Sequence, residues 1–187
     1  MVCDLPRTAA IEGREWELRT DFRDVLTILE AFEDPALTDV EKAYVCLHNL
    51  YVDFDGLPRR AWGEAYAAAM AFIDHGCPRT GPRLMDWAQD APILFPAVNR
   101  VAGFEVRAAE YLHWWTFLGY FMEIREGVFA TVMALRQKKI KGVRLGPAEQ
   151  EYWRSNAQIC ALQAQRGEGE AREREEREKI LGVRRRV

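Results

Sequence analysis

The most regular feature of this chain is the recurrence of hydrophobic side chains three and four positions apart, between short polar stretches. This spacing lines up apolar groups on one face of an α-helix, so the pattern predicts a mainly α-helical, multi-helix globular domain. The first such stripe follows Asp21 and ends before Pro35. Its apolar positions are Phe22, Val25, Leu26, Leu29 and Phe32, and we expect Phe22 to be a core aromatic residue.

A short β-hairpin is predicted before that helix, over residues 8–19. Two apolar stretches flank Glu12, Gly13 and Arg14, and a glycine can adopt a positive φ in such a turn at little cost. A two-stranded hairpin alone is marginally stable in water. We therefore expect it to pack on the helices.

Start and stop signals mark the further helices. Thr38 and Glu41 form a capping-box pattern at the start of a second helix. A third helix is predicted from Pro58 to Gly76. Asp90 with Pro92 predicts the start of a fourth helix near Ile93, and this helix should end at Gly103. Two more amphipathic helices are predicted, one after the Arg125-Glu126-Gly127 segment and one from Pro147 that includes Tyr152, Trp153, Ile159 and Leu162.

The densest apolar stretch lies in a predicted helix over residues 107–124. It has large apolar side chains on nearly every side, so it must be enclosed by other helices or by a partner. The stretch is shorter than the about 20 apolar residues that span a bilayer. Its two adjacent tryptophans point about 100° apart. We expect Trp115 to pack in the core, and we take Trp114, Phe117 and Phe121 as candidate partner-binding residues.

The last 21 residues differ in composition from the rest. From Gly167 onward glutamate and arginine alternate at helical spacings, and such pairs contribute only about 0.2–0.5 kcal/mol each. We therefore predict a helical domain over residues 1–166 and a charged tail over 167–187. The tail is expected to be an exposed helix or a disordered segment.

Composition and charge limit the class of protein, its partners and its cellular compartment. The chain has 187 residues, 49% of them hydrophobic, which is enough for a substantial core. A formal charge of -3 gives no general attraction to nucleic acid or anionic lipid. Four scattered cysteines without a CxxC pair, and an amino terminus without a secretory apolar region, predict free thiols in a reducing cytoplasm.

The sequence contains no motif typical of a metal site, a phosphate-binding site or a catalytic nucleophile. The Asp53-Phe54-Asp55-Gly56 segment has the glycine of a calcium loop, but Tyr51 and Trp62 occupy two of the ligand positions, so it is interpreted as a turn. The three histidines lack metal-ligand spacing, and no phosphate-binding loop or serine-nucleophile motif occurs. The sequence predicts no enzyme, no metal and no cofactor.

A basic run over residues 136–141 leaves a second possibility open. Clusters of lysine and arginine can bind nucleic-acid phosphates without other chemistry. Basic residues are also typical of a helix carboxyl terminus, where they complement the helix dipole. The helix-terminus interpretation is preferred over nucleic-acid binding, because the aromatic residues lie elsewhere in the chain.

Several motifs, taken in order, resemble the bacteriophage Gp15 family, which is encoded beside tail genes in long-tailed phages and regarded as tail assembly chaperones. The motifs are Leu5-Pro6, Gly13, Thr20–Arg23, Glu41-Lys42, Asp90–Ile93, Leu112–Trp115 with Phe117, and Val132-Met133 with Leu135-Arg136. They span most of residues 5–141. The Phe104–Val106 segment and the charged tail depart from the family pattern.

The resemblance implies a noncatalytic protein of the host cytoplasm that binds the phage tape-measure protein before the tail tube polymerises around it. The tail tube protein is a second expected partner, a homo-oligomer is compatible with the sequence, and neither nucleic acid nor membrane is expected. Two alternatives stay open. One is a structural head or tail component retained in the virion, and the other is a small DNA-binding phage regulator.

Overall fold

The amino-terminal hairpin is present in the computed structural model, which describes residues 4–75 and 81–163. Strands β1 (Thr8–Ile11) and β2 (Arg14–Glu17) pair antiparallel, with Thr8 opposite Glu17 and Ile11 opposite Arg14. Gly13 adopts a φ of 76° in the turn, as the sequence predicts. The third helix of the chain lies against β1 and supports the hairpin.

Eight α-helices within the described ranges confirm the mainly α-helical class. They are α1 (Phe22–Glu33), α2 (Asp39–Leu50), α3 (Trp62–Ile73), α4 (Trp87–Ala102), α5 (Trp114–Met122), α6 (Val128–Ile140), α7 (Pro147–Ser155) and α8 (Ala157–Cys160). Single 3₁₀ turns precede α3 and α5, at Arg59–Ala61 and Val106–Ala108.

Side-chain caps explain where the first two helices begin. The Asp21 carboxylate accepts a hydrogen bond from the Arg23 amide at 3.0 Å. At α2 the predicted capping box is confirmed, because the Glu41 amide donates to the Thr38 hydroxyl at 3.3 Å while the Thr38 amide donates to the Glu41 carboxylate at 2.8 Å. Gly103 ends α4 in the left-handed conformation, also as predicted.

The prediction that proline starts the third and fourth helices is wrong. A 3₁₀ turn follows Pro58, so α3 begins only at Trp62. Helix α4 begins at Trp87, six positions before the predicted start, because the Asp86 carboxylate caps it by accepting from the Gln89 amide at 2.6 Å. Two prolines then lie inside α4, where each removes one amide donor.

The predicted aromatic helix is shorter than expected, and the last predicted helix is divided. Residues 109–113 are not helical, and α5 begins at Trp114. The reason is a short antiparallel bridge in which the Trp114 amide donates to the Thr20 carbonyl at 2.8 Å and the Phe22 amide to the Leu112 carbonyl at 2.9 Å. At Asn156 a φ of -124° separates α7 from α8.

The core lies where α1, α4 and α5 meet. Helix α1 also contacts α2, and α4 also contacts α6. At the centre the rings of Phe22 and Phe117 stack at 4.7 Å with an interplanar angle of 10°, and Trp114 stacks on Phe117 at 5.8 Å. A smaller apolar cluster of Val132, Leu135 and Cys160 joins α6 to α8.

Parts of the sequence predictions fall outside the described residues. The tail over 167–187, its boundary with the domain, Cys3 and Cys77 are among them. Cys46 and Cys160 are described, and both are buried free thiols. Across residues 4–75 and 81–163, no helix has the length and apolar character needed to cross a membrane.

Candidate protein-binding site

The aromatic residues of α5 point mainly inward. Trp114 and Phe117 are both 0% exposed, whereas Trp115 and Phe121 are partly buried. Trp114 is therefore the more deeply buried indole, and Trp115, which was expected to pack in the core, lies against the core in a partly buried position. The starting point of α5 explains the difference, because Trp114 is its first residue and faces the interior between α3 and α4.

The two indole N–H groups donate hydrogen bonds to backbone carbonyls at the carboxyl end of α3. The Trp114 Nε1–H donates to the Ile73 carbonyl at 2.8 Å, and the Trp115 Nε1–H donates to the Phe72 carbonyl at 2.9 Å. The last carbonyls of a helix have no partner within the helix, and a buried one needs another donor. The adjacent tryptophans thus fasten α5 to the end of α3.

His113 completes this junction. Its Nδ1 accepts a hydrogen bond from the Trp115 amide at 3.0 Å and so caps α5. The ring hydrogen is assigned to Nε2, which donates to the Pro6 carbonyl at 2.8 Å. Burial lowers the pKa of His113, because the charged imidazolium is poorly solvated there. The His-Trp-Trp motif is accordingly a structural junction between three segments.

The partner-binding role of Trp114, Phe117 and Phe121 stays a prediction, and burial limits it. Trp114 and Phe117 could reach a partner only after the core opened. Phe121 lines a cavity of about 370 Å³ together with Trp87 and Leu118. The more exposed aromatic surface of the described chain lies on α2 and α3.

Four rings form that surface, which we call the aromatic patch: Tyr44, His48, Phe54 and Trp62. Tyr44 is central, with its ring centroid 5.3 Å from Phe54 and 5.9 Å from His48. Phe54 lies 5.5 Å from Trp62. Aromatic pairs at these distances add about 0.5–1.5 kcal/mol beyond the burial of their surface.

Helix periodicity exposes one edge of the patch. Val40, Tyr44 and His48 follow each other at intervals of four, beside the buried face that carries Leu47 and Leu50. Val40 is 80% exposed and Tyr44 47% exposed. The signal was present in the sequence as a second apolar stripe on α2, but the prediction considered only the stripe that faces the core.

Local hydrogen bonds fix the other two rings. The Asp53 carboxylate accepts from the Gly56 amide at 3.1 Å, which confirms a turn at this segment and holds Phe54 beside α2. The Trp62 Nε1–H donates to the Leu57 carbonyl at 3.3 Å, and the Arg59 guanidinium lies 5.7 Å from the Trp62 ring centroid. A half-exposed aromatic surface of this kind suits contact with apolar side chains of another protein.

Two further kinds of site, a metal site and a reactive thiol, were compared with the described residues. They contain no group of three or more histidine, cysteine or acidic residues arranged to hold a metal ion. Burial raises the pKa of the Cys46 thiol to about 12, so this sulfur stays protonated and unreactive at neutral pH.

The basic run over 136–141 does not form a continuous surface. Arg136 is buried and pairs with Asp90, and Lys138 pairs with Glu149. Phosphate contacts along a nucleic acid require several free cations in a row. The structure leaves only part of the run available for such contacts.

Comparison with known proteins gives a similarity over the segment that carries the aromatic patch. Residues 2–75 match the family model of Bacteriophage Gp15 protein, which confirms the resemblance over this range. No curated protein and no solved structure matches the chain significantly. The matched segment contains the hairpin and α1 to α3, including all four rings of the patch.

Proposed function

We propose that this protein, with its Gp15-family segment over residues 2–75, is a noncatalytic tail assembly chaperone of the host cytoplasm that binds the phage tape-measure protein. The observation that supports this most directly is the exposed aromatic patch within that segment. Its chemistry suits the apolar stripe of a helical partner, bound in the mode in which a helix lies along a hydrophobic surface.

The exposure of the patch favours reversible binding. Burying a large apolar side chain completely gains about 1.5–3 kcal/mol, so covering a ring that is already half buried gains about half as much. Much of that gain is offset by the lost motional freedom of the partners. A chaperone has to release the tape-measure protein when tube subunits arrive, and contacts of this strength allow such exchange.

Co-expression with the cognate tape-measure protein tests the proposal. The wild-type chain should keep that protein soluble and co-purify with it. Tyr44→Ala should weaken the co-purification about tenfold, which corresponds to about 1.4 kcal/mol. Phe104→Ala is the matched control, because Phe104 is a similarly exposed aromatic residue at 43% but lies outside residues 2–75.

Salt dependence and location provide further tests. Binding through apolar rings should persist at high salt, since screening weakens exposed charge pairs more than buried apolar contacts. Equal retention of the partner by Tyr44→Ala and Phe104→Ala would remove the patch from the proposal. Failure to solubilise the tape-measure protein, with this chain found stoichiometrically in mature virions, would replace the chaperone by a structural component.

A further inference from the structure

A second surface feature lies on α6 and α7 and shares no residue with the aromatic patch. It is a pocket of about 510 Å³ between the end of α6, the loop over residues 141–146 and α7. Trp153, Val143 and Leu145 contribute its apolar lining. Lys139, Arg144 and Arg154 contribute its charged lining.

The charged side chains that the structure places in this pocket are all cationic. Three cationic side chains line it and, within residues 4–75 and 81–163, no acidic side chain does, although the whole chain has a formal charge of -3. Lys139 Nζ lies 3.9 Å from the centroid of the Trp153 ring, a cation–π contact that keeps the positive charge beside the apolar lining. The pocket therefore combines attraction for an anion with a surface for apolar carbon.

Nearby carboxylates neutralise this charge only in part. The Glu149 carboxylate pairs with Lys138 and accepts a hydrogen bond from the Gly146 amide at 2.9 Å. It therefore lies at the amino-terminal end of α7. Glu151 contacts Arg154 at 3.1 Å in an exposed pair, the weakest class of ion pair. Arg144 forms no ion pair with any residue in the described ranges. Within these ranges, no carboxylate competes with a ligand for its guanidinium.

We propose that this pocket binds an acidic peptide segment of a protein partner, with carboxylates on Arg144 and Arg154 and an apolar side chain against Trp153. The guanidinium fork matches a carboxylate with two parallel hydrogen bonds. A nucleic acid fits less well, because Arg136 and Lys138 are occupied by Asp90 and Glu149 and cannot extend the cationic surface along a phosphate backbone.

The test is fluorescence anisotropy with the full-length protein and a short fluorescein-labelled peptide of glutamate and leucine. The peptide should bind saturably, and the same peptide with glutamine in place of glutamate should not. Arg144→Gln should weaken binding about tenfold, the effect of losing one charge-assisted contact. Lys141→Gln is the matched control, because it removes an exposed charge from the same loop without altering the pocket lining. Its affinity should equal that of the wild type.

Four results would overturn the proposal. The first is equal binding of the glutamate and glutamine peptides, and the second is an equal effect of Arg144→Gln and Lys141→Gln. The third is tighter binding of a single-stranded DNA oligonucleotide than of the acidic peptide, again lost in Arg144→Gln, which would assign the pocket to nucleic acid. If the peptide binds only when the glutamates of residues 168–178 are changed to glutamine, the chain's own tail replaces the partner as occupant.

Discussion

Single residues decide how α5 is fastened, and the adjacent tryptophans show this most clearly. Sequence spacing gives the angle between two neighbouring side chains on a helix but not which of them faces the core. That choice depends on where the helix begins. The bridge between residues 20–22 and 112–114 fixes the start at Trp114 and turns its indole inward.

Trp114→Ala should cost about 3–5 kcal/mol of stability, because it removes a completely buried ring, leaves a cavity and frees the Ile73 carbonyl. Trp115→Ala should cost clearly less, since that ring is only partly buried and its loss opens a space that water can enter. Urea denaturation of both variants measures the difference. A larger loss in Trp115→Ala would contradict the assignment of Trp114 to the core.

Protonation of His113 should weaken the fold at mildly acidic pH. Its pKa is lowered in the folded state, so the unfolded chain binds more protons as the pH falls below about 6.5. The contribution of the neutral ring is therefore fully present above that pH and is lost as the pH falls through the lowered pKa. A charged ring would also stop accepting from the Trp115 amide.

The measurement is the free energy of unfolding against pH for the wild type and His113→Asn. The asparagine side chain can still cap a helix but does not titrate. The wild type should lose more stability than the variant as the pH falls below about 6.5. Parallel curves for the two proteins would show that His113 contributes nothing to the pH dependence.

At the scale of helices, a buried ion pair joins the second half of the chain. Arg136 on α6 is 2% exposed and Asp90 on α4 is 1% exposed. The guanidinium binds both carboxylate oxygens, at 2.6 and 2.8 Å. Its other donors reach the carbonyls of Leu84, Ile159 and Cys160 at 2.7–3.0 Å. One side chain therefore fastens α4, α6, α8 and the segment before α4.

Asp90→Ala should destabilise the protein by about 3–5 kcal/mol, because it leaves a buried cation without its counter-charge. Arg60→Ala is a suitable control, since it removes an exposed partner from the ion pair with Glu12 and should have a much smaller effect. Urea denaturation compares the two. Similar losses in both variants would mean that water or a rearrangement compensates the charge of Arg136.

The helices also show what the sequence could and could not predict. The starts of α1 and α2, which depend on the local caps Asp21 and Thr38, were predicted correctly, because every participating group lies within a few residues. The start at Trp87 was missed, although Asp86 is a good capping residue, because Pro92 was given more weight. The start at Trp114 could not be predicted locally, since it depends on pairing with residues 20–22.

At the scale of the whole molecule, the candidate site also depends on contacts between residues that are distant in sequence, which local patterns do not predict. The sequence predicted the class of fold and a dense aromatic helix but assigned partner binding to rings that are mostly in the core. The aromatic patch joins α2, the turn that follows it and α3. Tyr44 and Trp62 are distant in sequence, and only the folding back of the turn at Asp53–Gly56 brings their rings together.

Removal of residues 167–187 should leave the stability of the body unchanged. The described chain is fastened up to Gln163, whose amide donates to the Gln89 side chain at 3.0 Å, while the Gln89 side chain donates to the Ala161 carbonyl at 2.7 Å. A chain ending at Arg166 keeps these contacts. The deleted part is almost wholly charged and has few apolar side chains to offset the entropy of ordering.

Thermal unfolding of the truncated and full-length proteins measures this effect. A difference below about 0.5 kcal/mol corresponds to a shift in Tm of about 1–2 °C for a chain of this length. The matched control is a full-length variant with Gln89→Ala, which loses both contacts to the end of the described chain and should lower the Tm more than the truncation does. A larger fall in Tm after truncation would mean that the charged tail packs on the domain through contacts that its composition does not predict.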